Sequence, residues 1–598
     1  CYLLSPSCGW PLTLFLTPEG KPFYAATYIP KENRFGRIGL LEFIPRVKEL
    51  WARERDSVLQ SADSINAAII SSTIQLPGAN MDSSFLDAAF QAFEQDFDPQ
   101  HGGFGSNAKF PKPLNLLFLL RYWHRTGNEA ALTMVEKTLT AMRQGSIYDH
   151  LGYGFHRYTI DPAWRVPHFE KMLYDQALLA MTYLEAYQAT AKEKYAETAR
   201  EILDYVVQSM TSEAGGFYTA ESADSAGEEG RFYLWSATEI KKIMTPAEAA
   251  TAARVFNITE EGNYIDPVTH EKTGKNLLFI GETDTAKIAG YETIRRKMLT
   301  ARNSRPRPER DDKVLTDWNG LMIGALARGS RVLAQPQYGK AAERAAKFIL
   351  HNLRAKEGKL LHRWRKGRAG LPATAADYSF MAWGLLELYG RDFDTYWLQQ
   401  ALDLTDVLIR NFWDDKLGGF YLTGNTEKSI LPRIKESIDS SVPSSNAVAM
   451  FNLLKLSRLT GSPGFAERAE KTSIIASTSL KERPLSFPML LGALDFALAP
   501  SQEVVVVGEK EAADTKEMFA VLNKNYFPNA VILFKPAGEE SPQIEKYANF
   551  VEFMYAINNK ATAYVCTNFK CNFPTTDPAE MIKSLSALSK NETKNDKQ

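Results

Sequence analysis

Three of the chain's eight histidines, His150, His156 and His168, lie in one stretch from Tyr148 to Asp175. With them come Asp149, Glu170, Asp175, Arg157, Lys171, Trp164, Tyr153 and Tyr174. Histidine is the side chain whose ordinary pKa suits it to take and return a proton near neutral pH. A carboxylate beside it, Glu170 or Asp175, can orient the imidazole. The apolar-periodic run that follows predicts a helix opening at Pro167, because a missing N–H costs nothing in a first turn. His168, Lys171 and Asp175 then share one face at i, i+3 and i+7. That face turns apolar further along, which suits the floor of a pocket. The rival reading is a buried polar cluster that satisfies itself at a helix end.

Carboxylates compete for the same work. Glycoside hydrolysis needs two, about 5 to 9.5 Å apart across the scissile bond. Asp149, Glu170, Asp175, Glu221, Asp224, Asp317 and Asp377 all sit at predicted helix starts or in adjoining loops. Acids and amides there also serve as caps. Capping is an equal alternative for Asp317 and Asp377, and the stronger one for Asn446. Trp164, Trp318, Tyr174 and Tyr378 offer rings to the C–H faces of a sugar, with polar neighbours such as Asn319 for its hydroxyls. Trp235 reads as ordinary packing between hairpins. No glycine-rich nucleotide loop and no HExxH pair occurs. Cys566 and Cys571 lack a second Cys/His pair to complete a zinc set, so neither metal nor cofactor is expected.

What must position these residues is legible in the texture of the chain. At 598 residues it is too long for one core. Its 44% hydrophobic and 24% charged content are those of a globular protein, and a net charge of -1 gives no footprint for nucleic acid or an anionic membrane. No apolar run approaches the ~20 residues that span a bilayer. The chain begins at Cys1 with no signal peptide, so the start reads as incomplete and a reducing cytoplasm is the default expectation. Residues 1–75 predict a β-hairpin around Thr17–Gly20 and then an amphipathic helix, the back half of an α/β domain. From 82 to 498 a unit repeats: helix, Gly-Gly-aromatic turn, short extended segment, helix. The turns are Gly102-Gly103-Phe104, Gly152-Tyr153-Gly154-Phe155, Gly215-Gly216-Phe217 and Gly418-Gly419-Phe420, with Lys359–Trp364 in the same place without the glycines. Glycine there suits a left-handed helix C-cap. Charged amphipathic helices alternate with apolar ones whose first turns are polar, which predicts two concentric layers of six or seven hairpins with the polar N-termini at one mouth. The stretch 219–312 breaks the rhythm as a partial insertion. Residues 502–583 carry both-face-apolar strands of a small α/β unit, and the tail 584–598 is expected to be disordered.

The blocks GWPLTLFLTPEGKPFYAATYIP, GGFGSNAKFPKP, YDHLGYGFHRYTIDPAWRVPHFEKMLYDQALL, RDDKVLTDWNGLMIGALAR and SSVPSSNAVAMFNLL resemble the thioredoxin-domain-containing proteins related to spermatogenesis-associated protein 20. The resemblance covers nearly the whole chain. It implies a thioredoxin-like N-terminal domain, here truncated, followed by a six-hairpin glycosidase-like (α/α)6 toroid similar to N-acylglucosamine 2-epimerases and unsaturated glucuronyl hydrolases. Family members carry a CHWCH motif upstream that Cys1 and Cys8 do not reproduce, so a thiol redox partner is expected only of a longer form. The resemblance also implies a cis bond at Trp10–Pro11.

In sugar epimerases of this fold, mouth histidines move the proton beside an open-chain carbonyl. On that pattern His156 and His168 are the acid and base, Arg157 holds an enolate or carboxylate oxygen, and His150, Glu221 and Asp224 line the pocket. Two function classes follow. The first is a carbohydrate-active enzyme, by epimerisation or isomerisation or by hydrolysis, taking a small sugar ligand at the mouth. The second is a redox-linked or binding protein whose barrel only recognises a partner. Clustering of polar and aromatic residues at one end of many helices favours the first.

Overall fold

The computed structural model describes residues 11–34, 36–73, 77–267, 269–281, 288–426 and 433–595. Twelve helices between 83 and 498 alternate between an outer and an inner layer. They are α1 (Ser83–Asp96), α2 (Pro113–Thr126), α3 (Glu129–Gln144), α4 (Leu173–Thr190), α5 (Glu193–Tyr205), α6 (Thr316–Val332), α7 (Pro336–Asn352), α8 (Ala375–Asp392), α9 (Thr395–Phe412), α10 (Ser445–Thr460), α11 (Pro463–Ile474) and α12 (Pro488–Leu498). The even-numbered helices close on themselves: α2 touches α4, α4 touches α6, and so on through α8, α10 and α12 back to α2. That is an (α/α)6 ring, with six hairpins.

Composition sorts the layers. Helix α4 is buried without a break from Leu173 to Ala186 and α6 almost throughout, as a helix apolar on all sides must be. Outer α5 exposes Glu193, Lys194 and Glu197 while burying Tyr195, Ala196, Ala199 and Ile202. Helices α6 and α8 approach closest. A Cβ on Gly320 would lie 2.5 Å from the Phe380 backbone, and one on Gly384 would lie 2.5 Å from the Gly320 carbonyl. Only glycine permits that contact.

The Gly-Gly-aromatic turns do not cap helices. Each closes a tight loop across one antiparallel bridge: Phe97 with Phe104, Tyr148 with Phe155, Thr211 with Phe217, Trp413 with Phe420, and Arg354 with Leu360 in the unit that lacks glycines. The left-handed caps stand instead at the inner-to-outer turns, at Gly127 and Gly461.

The N-terminal piece is a hairpin, Thr13–Leu16 against Pro22–Ala26, and two helices, Leu40–Arg53 and Arg55–Thr73. Trp10 lies outside the described residues, and with it the Trp10–Pro11 bond. Residues 220–311 form short strands and three helices around their own apolar cluster of Trp235, Ile240, Phe256 and Met298. At the far end, strand Gln502–Gly508 runs parallel to Ala530–Pro536 and antiparallel to Thr562–Thr567, flanked by α13 (Ala513–Lys524) and α14 (Pro578–Asn595). Residues 584–595, expected to be disordered, are therefore helical. Cys566 and Cys571 face each other in adjacent strands and are joined by a disulfide.

Candidate active site

All six inner helices start at the same end of the ring, so their first turns form its mouth. The approach to α4 differs from the sequence expectation. Pro167–His168 pairs with Tyr158–Thr159, Lys171–Met172 pairs with Ala220–Glu221, and the helix begins only at Leu173. Residues 167–172 are extended because both edges find strand partners. His168, Lys171 and Asp175 consequently share no helix face.

Lys171 turns into the wall. Its ammonium meets Asp149 Oδ2 at 2.8 Å and the Tyr153 carbonyl at 2.7 Å, while Arg302 holds Asp149 Oδ1 at 2.6 Å. The same clamp recurs in two other hairpins. Lys109 reaches Asp98 and the Gly102 carbonyl, at 2.5 and 2.6 Å. Lys435 reaches Asp414 and the Gly418 carbonyl, at 2.7 and 2.6 Å. In each, the lysine pins the turn that precedes an inner helix. The clamp is architecture. Glu221 belongs to the same buried layer, accepting the Tyr205 hydroxyl at 2.8 Å.

Several other expected ligands are also spent on structure. His150 sits 2.9 Å from the Gly145 carbonyl and His156 3.0 Å from the Phe169 carbonyl, edge-on to Tyr233. Burial pushes both down to about 3, so they are neutral at physiological pH. Both imidazoles are enclosed by protein groups, each about 2% exposed. Trp164 is fully buried and donates to the His101 carbonyl. Asn319 clasps Phe217, accepting its N–H at 2.8 Å and donating to its carbonyl at 3.0 Å. Asn446 does the same to Phe420, at 2.7 and 2.8 Å, and Gln176 to Phe155. The Tyr378 hydroxyl accepts the Leu360 N–H. Asp224 is exposed on a hairpin beside the mouth.

What remains at the mouth is a set of carboxyls and two partly buried histidines, His168 and His362. His168 bridges Glu229 (2.7 Å) and Glu170 (3.3 Å) and stacks on Tyr158. Its hydrogen bond to Glu170 raises it, and the same bond, with Arg157 at 2.8 Å, pulls Glu170 down to about 2. Further in, Asp175 is buried in the first turn of α4. Its Oδ2 has no hydrogen-bond partner among the described residues, and burial pushes the carboxyl well above its usual range. It lines a cavity of about 280 Å³ with Phe110, Asn115, Asp439, Ser441 and Pro488, which draws on four of the six inner helices or their approaches. Tyr174, next to it, meets the Trp318 ring edge-on at 4.7 Å, which leads to the sector of α6 and α8.

There Asp317, Asp377 and His362 converge. His362 Nδ1 lies 2.9 Å from Asp377 Oδ1, and the same oxygen accepts the Asp317 N–H at 3.1 Å. Asp377 Oδ2 caps α8 through the Thr374 N–H at 2.7 Å. Asp377 thus caps and couples at once. Burial, then the neighbouring Asp377, push Asp317 up to about 7, with His362 opposing. Burial alone would lower His362, but the bond and charge of Asp377 override it and hold the imidazole at about 9. One ligand atom from each of the three lies within 4.8 Å of the others, spacing that could admit a cation.

Sequence reasoning missed His362, which lies in the strand Leu361–Arg365 opposite Val314–Leu315. It also missed Asp439, whose oxygens cap α10 and α12 through Ser444 and Met489, both at 2.7 Å. Burial pushes Asp439 up to about 7. The signal for His362 was present: it occupies the segment after the glycine-free turn, where the repeat puts mouth-lining residues.

Over 624 residues the chain is 33% identical to human spermatogenesis-associated protein 20, covering 96% of this chain and 79% of that one. The chain belongs to the spermatogenesis-associated protein 20 family. The rat member is 32% identical over 628 residues, with the same coverage of 96% and 79%. Residues 1–70 match the DsbH thioredoxin family model, described as a protein of unknown function, DUF255. Among solved structures, D-mannose isomerase superposes with a TM-score of 0.45 at 11% identity, covering 66% of this chain and 85% of that chain. The (α/α)6 assignment rests on the closed ring itself.

Proposed function

We propose that the chain is a carbohydrate-active enzyme in which carboxyl groups at the mouth of the ring do the acid/base work. One observation carries this reading: the Asp175 carboxyl, buried in a mouth cavity with an oxygen that no group among the described residues satisfies. Buried polar atoms are almost always paired, and an exception signals a role for the group or a missing ligand. With burial holding it well above the usual carboxyl range, Asp175 can donate to a departing glycosidic oxygen. Asp317, at about 7, can take a proton from water or from carbon at working pH. Tyr174 and Trp318 supply rings against which a sugar's C–H face can rest, and Arg157 stands ready for an oxyanion. Glycosyl hydrolysis suits this pair better than histidine-driven epimerisation, because both mouth histidines are engaged by carboxylates, His168 by Glu170 and Glu229 and His362 by Asp377.

The test is a broad panel of oligosaccharides and free sugars, read for reducing-end release and for deuterium uptake at C2 in heavy water. Hydrolysis predicts release that Asp175→Asn and Asp317→Asn abolish and His168→Gln leaves largely intact. Deuterium uptake lost in His168→Gln would move the chemistry to epimerisation. An unmodified protein inert to the whole panel would sink the enzyme reading and leave the ring as a recognition scaffold.

A further inference from the structure

The end of the ring opposite the mouth is covered by the C-terminal unit: α13 packs on α6, strand Ala530–Pro536 on α10, and α14 on α2. Beneath this cover lies a cavity of about 120 Å³, several times the room one water needs. Its wall presents Arg121, Arg328, Arg331 and Lys455 against only two carboxylates, Glu185 and Glu387. Those two are heavily shared. Glu387 takes Arg328 at 2.9 Å, Arg331 at 2.7 Å and Lys455 at 2.9 Å. Glu185 takes the other amino group of Arg328 and the Tyr526 hydroxyl. The carboxylate nearest Arg121 is Asp495 at 3.8 Å, which already holds Arg125 at 2.6 Å. Arg331 Nε is buried without a hydrogen-bond partner among the described residues. Among the described residues the acids at this cavity do not balance these cations, and buried charge without a counter-ion is costly.

We propose that this cavity is a binding site for a phosphoryl oxyanion, held by Arg331, Lys455 and Arg328. Guanidinium forks match tetrahedral oxyanions in geometry as well as charge. Arg331 and Lys455 retain 19% and 16% of their side-chain exposure, so solvent reaches the site. A competing account is that the cations offset the partial negative charge at the C-termini of the inner helices. That effect fades within the last turn. Arg331 lies in the last turn of α6, whereas Arg328 and Lys455 sit a turn or more inside α6 and α10.

The experiment is thermal unfolding and calorimetric titration of the whole chain with inorganic phosphate and with glucose 6-phosphate, against chloride at matched ionic strength. Both phosphates should raise Tm where chloride does not, and Lys455→Met and Arg331→Met should each weaken binding at least 10-fold. Tighter binding of the ester identifies a phosphorylated metabolite as the occupant, and equal binding identifies the free ion. Binding should persist in Asp175→Asn, which separates this site from the mouth. Should both Met variants fail to fold, Arg331→Lys keeps the charge, loses the fork, and should still weaken phosphate. No phosphate-specific stabilisation, or an unchanged one in the variants, overturns the proposal.

Discussion

Two sectors of the mouth make opposite use of their polar residues. The sector from Tyr148 to Asp175 is dense in histidine, arginine and acid, yet many of these groups end paired inside the wall: Asp149 with Lys171 and Arg302, His150 and His156 on backbone carbonyls. The sector of α6 and α8 is sparse, with one histidine and two aspartates, and its groups are left in competition, two carboxyls around one imidazole. Density of reactive types marks where a chain folds intricate loops. Incomplete satisfaction marks where it can do chemistry. Within the dense sector the same criterion singles out the Asp175 carboxyl, together with Nε of Arg157 and one amino group of Arg165, among the described residues.

The contrast breaks first on activity. Against whichever sugar the panel identifies, Asp175→Asn and Asp317→Asn should each lower turnover by about 10²–10⁴-fold, the usual worth of a positioned acid or base, with the fold intact by circular dichroism. His156→Gln should leave turnover within a few-fold once corrected for folded protein. A His156 effect as large as that of Asp175 would return the chemistry to the dense sector.

It breaks next on stability, in the opposite direction. Lys171→Met leaves Asp149 Oδ2 and the Tyr153 carbonyl without their partner in the wall while Arg302 stays on Oδ1, and each buried group so unpaired costs about 1–3 kcal/mol. Denaturant unfolding should register this as a large drop in midpoint. His362→Asn, at the mouth with 25% of its side chain exposed, should cost far less. Equal losses would mean that the sparse sector is wall as well.

The amide clasps rank lower. Asn319→Ala leaves the buried N–H and C=O of Phe217 unpaired, worth about 1–3 kcal/mol for each unsatisfied group. Asn446→Ala should match it at Phe420, since the geometry repeats. A loss of activity with no loss of stability would restore both asparagines as sugar ligands.

These rankings also show what the sequence could reveal. Two layers of helices were legible because an inner helix such as α4 is apolar all round and an outer one such as α5 is not. The mouth was legible as a set of polar first turns. The start of α4 was not, because Pro167 fits a first helical turn and an edge strand equally well, and the strands that captured it, Tyr158–Thr159 and Ala220–Glu221, are two residues long. Neither was the role of the clasps, since an asparagine in a first turn reads the same whether it faces a ligand or a neighbouring backbone. Asp317 meets Asp377, 60 residues away, across two helices that Gly320 and Gly384 let touch, a contact no local pattern shows.

The smallest effect is the one that resolves the sparse sector itself. His362 stands at about 9 in the folded protein against roughly 6.5 unfolded, and Asp317 at about 7 against roughly 3.9. Both folded values are raised, so over the range between, the native state holds more protons than the unfolded one and stability falls as pH rises. The Asp317 contribution is complete below about pH 4 and gone above about 7. The His362 contribution is complete below about 6.5 and gone above about 9. Unfolding midpoints should therefore decline from pH 6.5 to 9, and the difference between the unmodified protein and His362→Asn should shrink over that window. Asp317→Asn should shift the earlier decline, between pH 4 and 7, and remove a limb near pH 7 from the pH–rate profile. Because His362 is partly solvated, its share is screened and modest, so the comparison must be made at low ionic strength. If the His362→Asn difference is flat across pH 6.5–9, the imidazole is not charged by Asp377, the two carboxyls are not in competition, and the contrast between the sectors disappears.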